Sequence, residues 1–166
     1  MSITTTSVRQ ASLQDGIEIA RIYNWYIENS TITFEEQAVA GSDMAQRIVV
    51  ADKTRPWLVM EDEGKIVGFA CAVRWKLRSA YRYARETSVY IDRDYIGQGR
   101  GVALYESLIN ELRQTSIHVL IAGIALPNEK SITLHEKLGF KKVGELQEVG
   151  FKFEKFLDVG YWQLKL

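Results

Sequence analysis

The chain has 166 residues, of which 46% are hydrophobic and 25% charged, and it is long enough to bury a sizeable core. Its 21 basic and 21 acidic residues balance, which argues against a nucleic-acid partner, because such binders usually carry a basic excess. No apolar run approaches membrane-spanning length and the N-terminus lacks a signal-peptide segment, so we expect a cytoplasmic protein without a membrane partner. The single cysteine fits a reducing compartment.

Apolar periodicity and turn residues predict the elements in chain order. We expect a strand at 7–11, a helix at 12–28, a loop or extended segment at 30–36, a helix at 43–52, a hairpin of strands 57–61 and 65–75, a strand at 86–92, a helix at 101–114, a strand at 118–125, a helix at 129–138 and strands near 140–150 and 155–165. Ser12 and Asp15 form a capping pair for the first helix, Ser42 is expected to cap the second, and Gly139 ends the last.

This order predicts a mixed α/β (α+β) fold, a single domain over residues 1–166 with one central mixed sheet of about seven strands flanked by about four helices. The near-continuous apolar run at 118–125 is typical of a buried central strand. In the strand at 86–92, alternation places Thr87, Val89 and Ile91 on one face and Ser88 and Tyr90 on the other.

Three glycines at alternate positions, Gly97, Gly99 and Gly101, lie between a strand and a helix. A Walker loop would end in Gly-Lys-Ser/Thr, and a dinucleotide loop would have glycine where Val102 stands, so neither motif is present. Backbone N–H groups at a glycine-rich helix N-terminus bind anions such as a diphosphate, and Arg93 and Arg100 flank the loop. A plain tight turn is the alternative.

The charge is unevenly spread along the chain. Between residues 74 and 85 there are five cations and no acid until Glu86. A local basic cluster in a neutral protein suits a small anionic ligand better than a long polyanion.

Seven segments follow one another along the chain: TFEE (33–36), PWLV (56–59), ETSVYI (86–91), GQGRG (97–101), IALPN (124–128), LHEKLGF (134–140) and VGFKF…LDVGYWQL (149–164). In this order they resemble the GNAT superfamily of acetyl-CoA-dependent N-acetyltransferases, and more narrowly its phosphinothricin / methionine sulfoximine N-acetyltransferases. The resemblance implies a GNAT-like fold and acetyl transfer from acetyl-CoA to the α-amine of a small amino acid or analogue, without a metal. The chain departs from the superfamily pattern at Ile96, where Gln or Arg is usual, and at Gly97, where Arg is frequent.

The resemblance also implies the residues of an acetyl-CoA site. The glycine loop would hold the diphosphate, and the strand backbone before it would pair with the pantetheine arm. The implied residues are Val89, Tyr90, Ile91, Gly97, Gln98, Gly99, Arg100, Gly101, Val102 and Asn128.

Two residues are candidates for proton transfer. The resemblance places the catalytic base at Glu86, whereas an arbitrary glutamate here would pair with Arg85 or Arg82. His135 occupies the position where many GNAT enzymes have a tyrosine that protonates the leaving thiolate, and the alternative is a structural histidine.

The resemblance and the basic segment together predict an acceptor site, and the resemblance also implies a homodimer. The acceptor residues are Phe34, Glu35, Lys76, Leu77, Arg78, Glu86, Thr87 and Ser88. Trp75, Tyr90 and Trp162 are candidates for aromatic walls, with burial in the core, which is commoner for aromatic residues, as the alternative. The alternatives are another acceptor (a polyamine, an aminoglycoside or a protein N-terminus) or a non-catalytic CoA-sensing domain.

Overall fold

The computed structural model of the chain describes residues 6–166, which contain seven strands and four α-helices. The strands are β1 (Thr6–Gln10), β2 (Trp57–Asp62), β3 (Lys65–Arg74), β4 (Ala84–Ile91), β5 (Val119–Ala125), β6 (Lys141–Lys152) and β7 (Lys155–Lys165). The helices are α1 (Gly16–Asn29), α2 (Gly41–Val49), α3 (Arg100–Leu112) and α4 (Glu129–Lys137). The predicted mixed α/β class, with its numbers of strands and helices, is confirmed.

All seven strands belong to one sheet in the order β1-β2-β3-β4-β5-β7-β6. Every neighbouring pair is antiparallel except β4 and β5, which are parallel. The α3 helix connects these two parallel strands, as a crossover connection requires. The sheet is therefore mixed, with β4 and β5 at its centre.

Each face of the sheet packs against a different pair of helices. Leu104, Leu108 and Leu112 of α3 are fully buried with Leu120 of β5 in a core that α4 also covers. On the opposite face, α1 and α2 pack over β2 and β3 in a second core, with Phe69 among its buried residues. Burial of apolar area in these two cores is the main stabilising contribution to the fold.

The second helix begins two residues earlier than the sequence predicts and ends three residues earlier. Its N-cap is Ala40, so Ser42 lies inside the first turn and the prediction that Ser42 is the cap was wrong. The reason is a close approach of two helices, because a Cβ on Gly41 would lie 2.7 Å from Cγ1 of Ile17. The helix stops before Asp52, whose carboxylate accepts a hydrogen bond from the Thr54 backbone N–H.

The other boundaries lie within four residues of the prediction. Strand β4 begins at Ala84, two residues early, because Ala84 and Arg85 pair with β5. The capping pair is confirmed, since the backbone N–H of Ser12 donates to the Asp15 carboxylate at 2.7 Å. A short 3-10 turn follows Ser12 before α1 begins. Gly139 has φ +93° directly after α4, which confirms the predicted helix end.

The last two strands form a hairpin whose outer residues are exposed. Phe153 and Glu154 at its tip both have positive φ, as the two-residue turns that match strand twist require. Much of β6 is exposed, although Gly150 and Lys152 are buried. Lys152 donates a hydrogen bond to the Thr33 carbonyl at 2.8 Å, which attaches the hairpin to the segment before α2.

Candidate active site

The two central strands separate after a short region of pairing. Strand β4 pairs with β5 only at residues 84–86, whereas β5 continues alongside β7 to Ala125. Among residues 6–166, the edge of β4 from Thr87 to Ile91 has no strand partner on the β5 side. An unpaired strand edge offers backbone hydrogen-bonding groups to an extended ligand.

Glu86 lies where the two strands separate. Its side chain is on the face of the sheet opposite α3, because the next residue, Thr87, contacts α3. Burial raises the pKa of the Glu86 carboxyl group, and the positive charge of Lys76 lowers it by a smaller amount. No residue in 6–166 donates a hydrogen bond to the Glu86 carboxylate, so its oxygens are available to a ligand.

Tyr161 is a neighbour of Glu86 that the sequence did not indicate. A Cβ built on Gly123 would lie 3.4 Å from Cε1 of Tyr161 and 3.8 Å from Oε1 of Glu86, so the two side chains flank this glycine. Burial, followed by the negative charge of Glu86, raises the pKa of the Tyr161 phenol. The Trp75 ring meets the Tyr161 ring edge to face, with centroids 5.5 Å apart. Pairing of β5 with β7 brings these groups together, and sequence spacing carries no signal for it.

The glycine loop presents an uninterrupted run of backbone N–H groups. Gly97 and Gly99 have φ of +84° and +75°, and open space surrounds the position of a Cβ on either. Within the described chain, no backbone N–H from Gly97 to Val102 donates to another residue, and the first such bond of α3 is that of Ala103 to the Gly99 carbonyl. Free N–H groups at a helix N-terminus form an anion site.

The arginine side chains beside this loop are already engaged. Arg100 donates to the Asp62 carboxylate and to the Gln98 side-chain oxygen, and its guanidinium lies over the Tyr95 ring. Arg93 lies 3.6 Å from the Asp94 carboxylate. The anion-binding capacity of the loop therefore comes from its backbone.

Asn128 caps α4 at the end of β5. Its Oδ1 accepts a hydrogen bond from the Ser131 backbone N–H at 3.1 Å. Its side-chain NH₂ group donates to no other residue within 6–166, so this donor is available to a ligand.

His135 lies on the opposite side of the sheet from Glu86. It is only 5% exposed, and its ring packs between Tyr105 and Phe140 in the core beneath α3. Its Nδ1 donates to the Ser131 carbonyl at 2.7 Å, which leaves Nε2 as the acceptor nitrogen. Burial lowers the pKa of His135, which favours the neutral imidazole. The structure does not bring the two candidate catalytic residues into one cavity.

A cavity of about 510 Å³ opens on the Glu86 face, between α2 and strands β3 and β4. Its size is within the range of small-molecule sites. Its residues are Tyr23, Met44, Arg47, Val50, Arg55, Trp57, Phe69, Cys71, Ala72, Val73, Arg74, Ser88 and Tyr90. Val73, which lines it, is the register partner of Glu86 in the β3–β4 pair. Glu86 does not itself line the cavity, and its strand partner Val73 is the cavity residue next to it.

Thr87 and Ser88, the two hydroxyl residues predicted to contact the acceptor, lie on opposite faces of the sheet. Ser88 lines the cavity. The Thr87 hydroxyl is buried on the other face, where it is hydrogen-bonded to the Tyr105 hydroxyl at 2.5 Å. Of the two, only the Ser88 hydroxyl lies on the cavity face.

Phe34 and Glu35, in the segment before α2, do not line the cavity themselves. The Glu35 carboxylate pairs with both terminal nitrogens of Arg47, a cavity residue, at 2.6 and 3.0 Å. The Phe34 ring packs against Gly150 of the hairpin, since a Cβ there would lie 2.3 Å from it. Phe34 thereby connects the segment to β6.

The loop between β3 and β4 is exposed and cationic. Lys76 lies over the Trp75 ring, with its Nζ 4.8 Å from the centroid, and Leu77 is 87% exposed. Arg78, also exposed, precedes a 3-10 turn. Trp162, by contrast, was wrongly predicted as a pocket wall, because it is buried on the α4 side and its Nε1 donates to Glu136.

Two classes of feature are absent from the described part of the chain. Residues 6–166 contain no group of three or more His, Cys, Asp or Glu side chains arranged to hold a metal ion. No helix in this range has the length and apolar character needed to cross a membrane.

Comparison with known proteins shows consistent similarities. The family described as "Acetyltransferase (GNAT) domain" matches residues 8–160. A phosphinothricin N-acetyltransferase from Streptomyces viridochromogenes is 35% identical over 94% of this chain and 85% of its own length. An L-methionine sulfoximine/L-methionine sulfone acetyltransferase from Pseudomonas aeruginosa is 36% identical over 98% and 95%.

The solved structures include a similar fold with a bound ligand. An acetyltransferase from Salmonella typhimurium, solved with its cofactor acetyl-CoA, has a TM-score of 0.95 to this chain and 32% identity. The match covers 98% of this chain and 95% of that one.

Proposed function

The chain belongs to the GNAT acetyltransferases, and from that premise we propose that it acetylates the α-amine of a small amino acid or analogue with acetyl-CoA as donor. The observation that carries this proposal is the position of Glu86, a half-buried carboxyl group of raised pKa at the point where β4 and β5 separate, paired in register with the cavity residue Val73. A base at that point has a donor site on one side and an acceptor site on the other.

Two features support binding of acetyl-CoA. The free backbone N–H groups from Gly97 to Val102 would hold the diphosphate. The unpaired edge at Val89, Tyr90 and Ile91 would accept the pantetheine arm as an added strand, and the NH₂ group of Asn128 would also bind it. Because this cradle is made of backbone N–H groups, it needs no side chain from position 96 or 97.

Glu86 has the properties of a general base for this reaction. An amine is protonated at neutral pH and must lose a proton before it attacks a thioester, whose leaving thiol has a pKa near ~8.5. The carboxylate takes that proton directly or through a water, and its raised pKa makes it a better acceptor than an ordinary glutamate. A backbone N–H in the segment Val89–Ile91 would stabilise the oxyanion.

His135 is the candidate acid on the other side of β4. Its Nδ1 donates to the Ser131 carbonyl, and burial lowers its pKa, which favours a ring whose Nε2 carries no proton. Before His135 can donate a proton it must first take one, and burial opposes this. We therefore propose that His135 contributes less than Glu86 to the rate of acetyl transfer.

The acceptor class follows from the relatives and from the charge of the site. One relative is named for phosphinothricin and another for methionine sulfoximine and sulfone. Ser88 lines the cavity, and the cations Lys76 and Arg78 lie on the loop beside it, where they would bind the α-carboxylate. Cationic acceptors such as polyamines and aminoglycosides are disfavoured by these charges.

The exposed face of the hairpin supports a homodimer. The large apolar side chains exposed on β6, β7 and their turn are Val143, Leu146, Val149, Phe151, Phe153 and Phe156. An apolar patch of this kind on a globular protein usually marks an interface. We assign the dimer contact to this hairpin and the place of action to the cytoplasm.

An acceptor screen tests the proposal. The purified protein is incubated with acetyl-CoA and single amines, and released thiol is measured. Transfer to phosphinothricin, methionine sulfoximine or methionine sulfone above the rate for spermidine, kanamycin and a peptide N-terminus is the expected result. Faster transfer to spermidine, kanamycin or the peptide would show that the acceptor belongs to that class instead. Acetyl-CoA binding without transfer to any amine would identify a CoA-sensing domain instead.

A further inference from the structure

An aromatic side chain lies on each side of Glu86, on the same face of the sheet. The first is Trp75, which directly follows β3 and lies two residues beyond Val73. Val73 is the register partner of Glu86 in the β3–β4 pair. Residues two apart in an extended segment point to the same face. Trp75 therefore lies on the Glu86 face, on its β3 side.

The second aromatic side chain is Tyr161 of β7. Tyr161 is the register partner of Gly123 in β5. Ile121, two residues before Gly123, is the register partner of Glu86. The same alternation therefore places Tyr161 on the Glu86 face, on its β5 side.

The rings of Trp75 and Tyr161 meet although two strands separate their backbones. The strand order β3-β4-β5-β7 puts three strand spacings between them, which is roughly 14 Å. Their ring centroids are nevertheless only 5.5 Å apart, in an edge-to-face contact. The two side chains therefore extend toward each other across β4 and β5, and we call this pair the aromatic bridge.

The Glu86 carboxyl group lies under the aromatic bridge. The position of a Cβ on Gly123 would lie 3.4 Å from Cε1 of Tyr161 and 3.8 Å from Oε1 of Glu86. The carboxyl group therefore leans toward β5, into the space between the strand that precedes Trp75 and the strand that carries Tyr161. Glu86 is half-buried and Gly123 is exposed, so the side of the carboxyl group that faces the gap between β4 and β5 stays open.

The neighbours of Glu86 indicate that cover by these rings, and not a like charge, raises its pKa. Burial is the largest influence and raises the pKa, and Lys76 on the loop after β3 lowers it. The other titratable groups on this face are Cys71 of β3 and Tyr161, and the Glu86 charge raises the pKa of both. Arg47 of α2, across the cavity, is neutralised by an ion pair. None of these four groups is an anion at neutral pH.

We propose that Trp75 and Tyr161 are positioning residues for Glu86, because the aromatic bridge keeps solvent from its carboxyl group and directs it to the gap between β4 and β5. This inference rests on the proposed function, since it assigns a role to two neighbours of the same base. A carboxylate shielded from water accepts the proton of an ammonium group more readily. The role belongs to the ring of Tyr161 and not to its hydroxyl group.

Tyr161→Ala and Tyr161→Phe separate the ring from the hydroxyl group. The Glu86 carboxyl group is titrated in the protein alone by NMR of carboxyl-labelled glutamate, and its signal is assigned by its loss in Glu86→Gln. In Tyr161→Ala water reaches the carboxyl group, so the midpoint should fall by about half a pH unit or more. Tyr161→Phe keeps the ring and should keep the midpoint.

Kinetics with acetyl-CoA and an acceptor give the second readout. The acidic limb of kcat/KM should move to lower pH together with the NMR midpoint in Tyr161→Ala. In that variant kcat should fall about tenfold, because the base is weaker and less well oriented, and Tyr161→Phe should restore it.

Tyr83→Ala is the matched control, because Tyr83 is 46% exposed and its ring packs against Arg82. It should change neither the midpoint nor the acidic limb. Leucine at position 161 is too short to reach Trp75 but keeps an apolar side chain on β7. Tyr161→Leu should therefore shift the midpoint in the same direction as Tyr161→Ala, and it provides the test if the alanine variant does not fold.

Two results would overturn the inference. If the midpoint is unchanged in both Tyr161→Ala and Tyr161→Leu, the carboxyl group does not depend on the bridge. If Tyr161→Phe loses as much kcat as Tyr161→Ala, the hydroxyl group itself acts in the reaction. The NMR titration needs neither acetyl-CoA nor an acceptor, so it separates the two proposals. A lowered midpoint in a protein that acetylates no amine would confirm the cover of Glu86 and reject the proposed function.

Discussion

Lys76 lies in the connection between β3 and β4 and Glu86 lies in β4, and the ammonium charge of Lys76 lowers the pKa of the Glu86 carboxyl group against the larger effect of burial. The two effects oppose each other, and burial dominates. The pKa of Glu86 therefore stays above that of an ordinary glutamate, but lower than it would be without Lys76.

This relationship predicts the pH dependence of the reaction. The base must be deprotonated, so kcat/KM should increase with pH through a pKa above the ordinary glutamate value of 4.5. Replacing Lys76 with Met removes the charge that favours the carboxylate, so the acidic limb of the profile should move to higher pH. Lys137→Met, on the exposed part of α4, should leave the limb in place. If the acidic limb of the profile does not move in Lys76→Met, the group that titrates there is not Glu86.

The glycine loop has a matched control elsewhere in the chain. Gly99 and Gly64 have φ of +75° and +79°, and open space surrounds the position of a Cβ on each. Alanine at either position should cost about 1–2 kcal/mol of folding stability, because left-handed backbone strains an L-residue. In Gly99→Ala the added methyl group also enters the space that the diphosphate requires.

Calorimetry with acetyl-CoA distinguishes the two variants. We expect Gly99→Ala to weaken binding at least tenfold and Gly64→Ala to leave the Kd within twofold. Equal affinities in both variants would show that the diphosphate does not lie on this loop.

The sequence predicts the order of elements well, because each helix and strand has its own apolar period and turn residues. The prediction fails where a distant contact decides the boundary. Helix α2 begins at Gly41 because Ile17 of α1 lies against it, and β4 begins at Ala84 because β5 is adjacent. Neither contact leaves a pattern in the local sequence.

The site was predictable only in part, for a related reason. Motif order indicated Glu86 and the glycine loop, and strand alternation correctly separated Thr87 from Ser88. The proximity of Tyr161 to Glu86 depends on the pairing of β5 with β7. Side-chain positions set by sheet register cannot be read from a single strand.

Asp15 is predicted to stabilise the fold at neutral pH. It accepts hydrogen bonds from Arg9 and from the Ser12 backbone, and chiefly the bond with Arg9 lowers its pKa from 3.8 to about 2. The stabilisation is complete above pH 3.8 and disappears as the pH falls through about 2. Asp15→Asn should lower the free energy of unfolding at pH 7 by about 1–2 kcal/mol, since Arg9 is partly exposed.

Urea titrations at pH 7 and at pH 3 measure this effect. The difference between Asp15→Asn and the unaltered protein should be smaller at pH 3. Asp94→Asn, at an exposed carboxylate 3.6 Å from Arg93, is the control and should change stability little. If Asp15→Asn lowers the free energy of unfolding equally at both pH values, the stabilisation does not come from the charge of Asp15.

The hairpin surface makes a prediction about assembly. Phe156 is 66% exposed, and its ring packs on that of Phe151 with centroids 4.9 Å apart. If this face joins two subunits, Phe156→Glu buries an unpaired charge and should shift the dimer to monomer. Val49→Glu, at an exposed position on α2, should remain dimeric. Sedimentation of a monomeric unaltered protein would contradict the dimer.

The role of Glu86 is tested most directly by parallel measurements of turnover and of acetyl-CoA affinity in Glu86→Gln. The substitution keeps the shape of the side chain but removes the base, so kcat should fall by about 10²–10⁴-fold while the Kd for acetyl-CoA stays within twofold. Glu106→Gln, on the exposed side of α3, is the control and should match the unaltered protein in both. Full turnover in Glu86→Gln at neutral pH would contradict the assignment of Glu86 as the base.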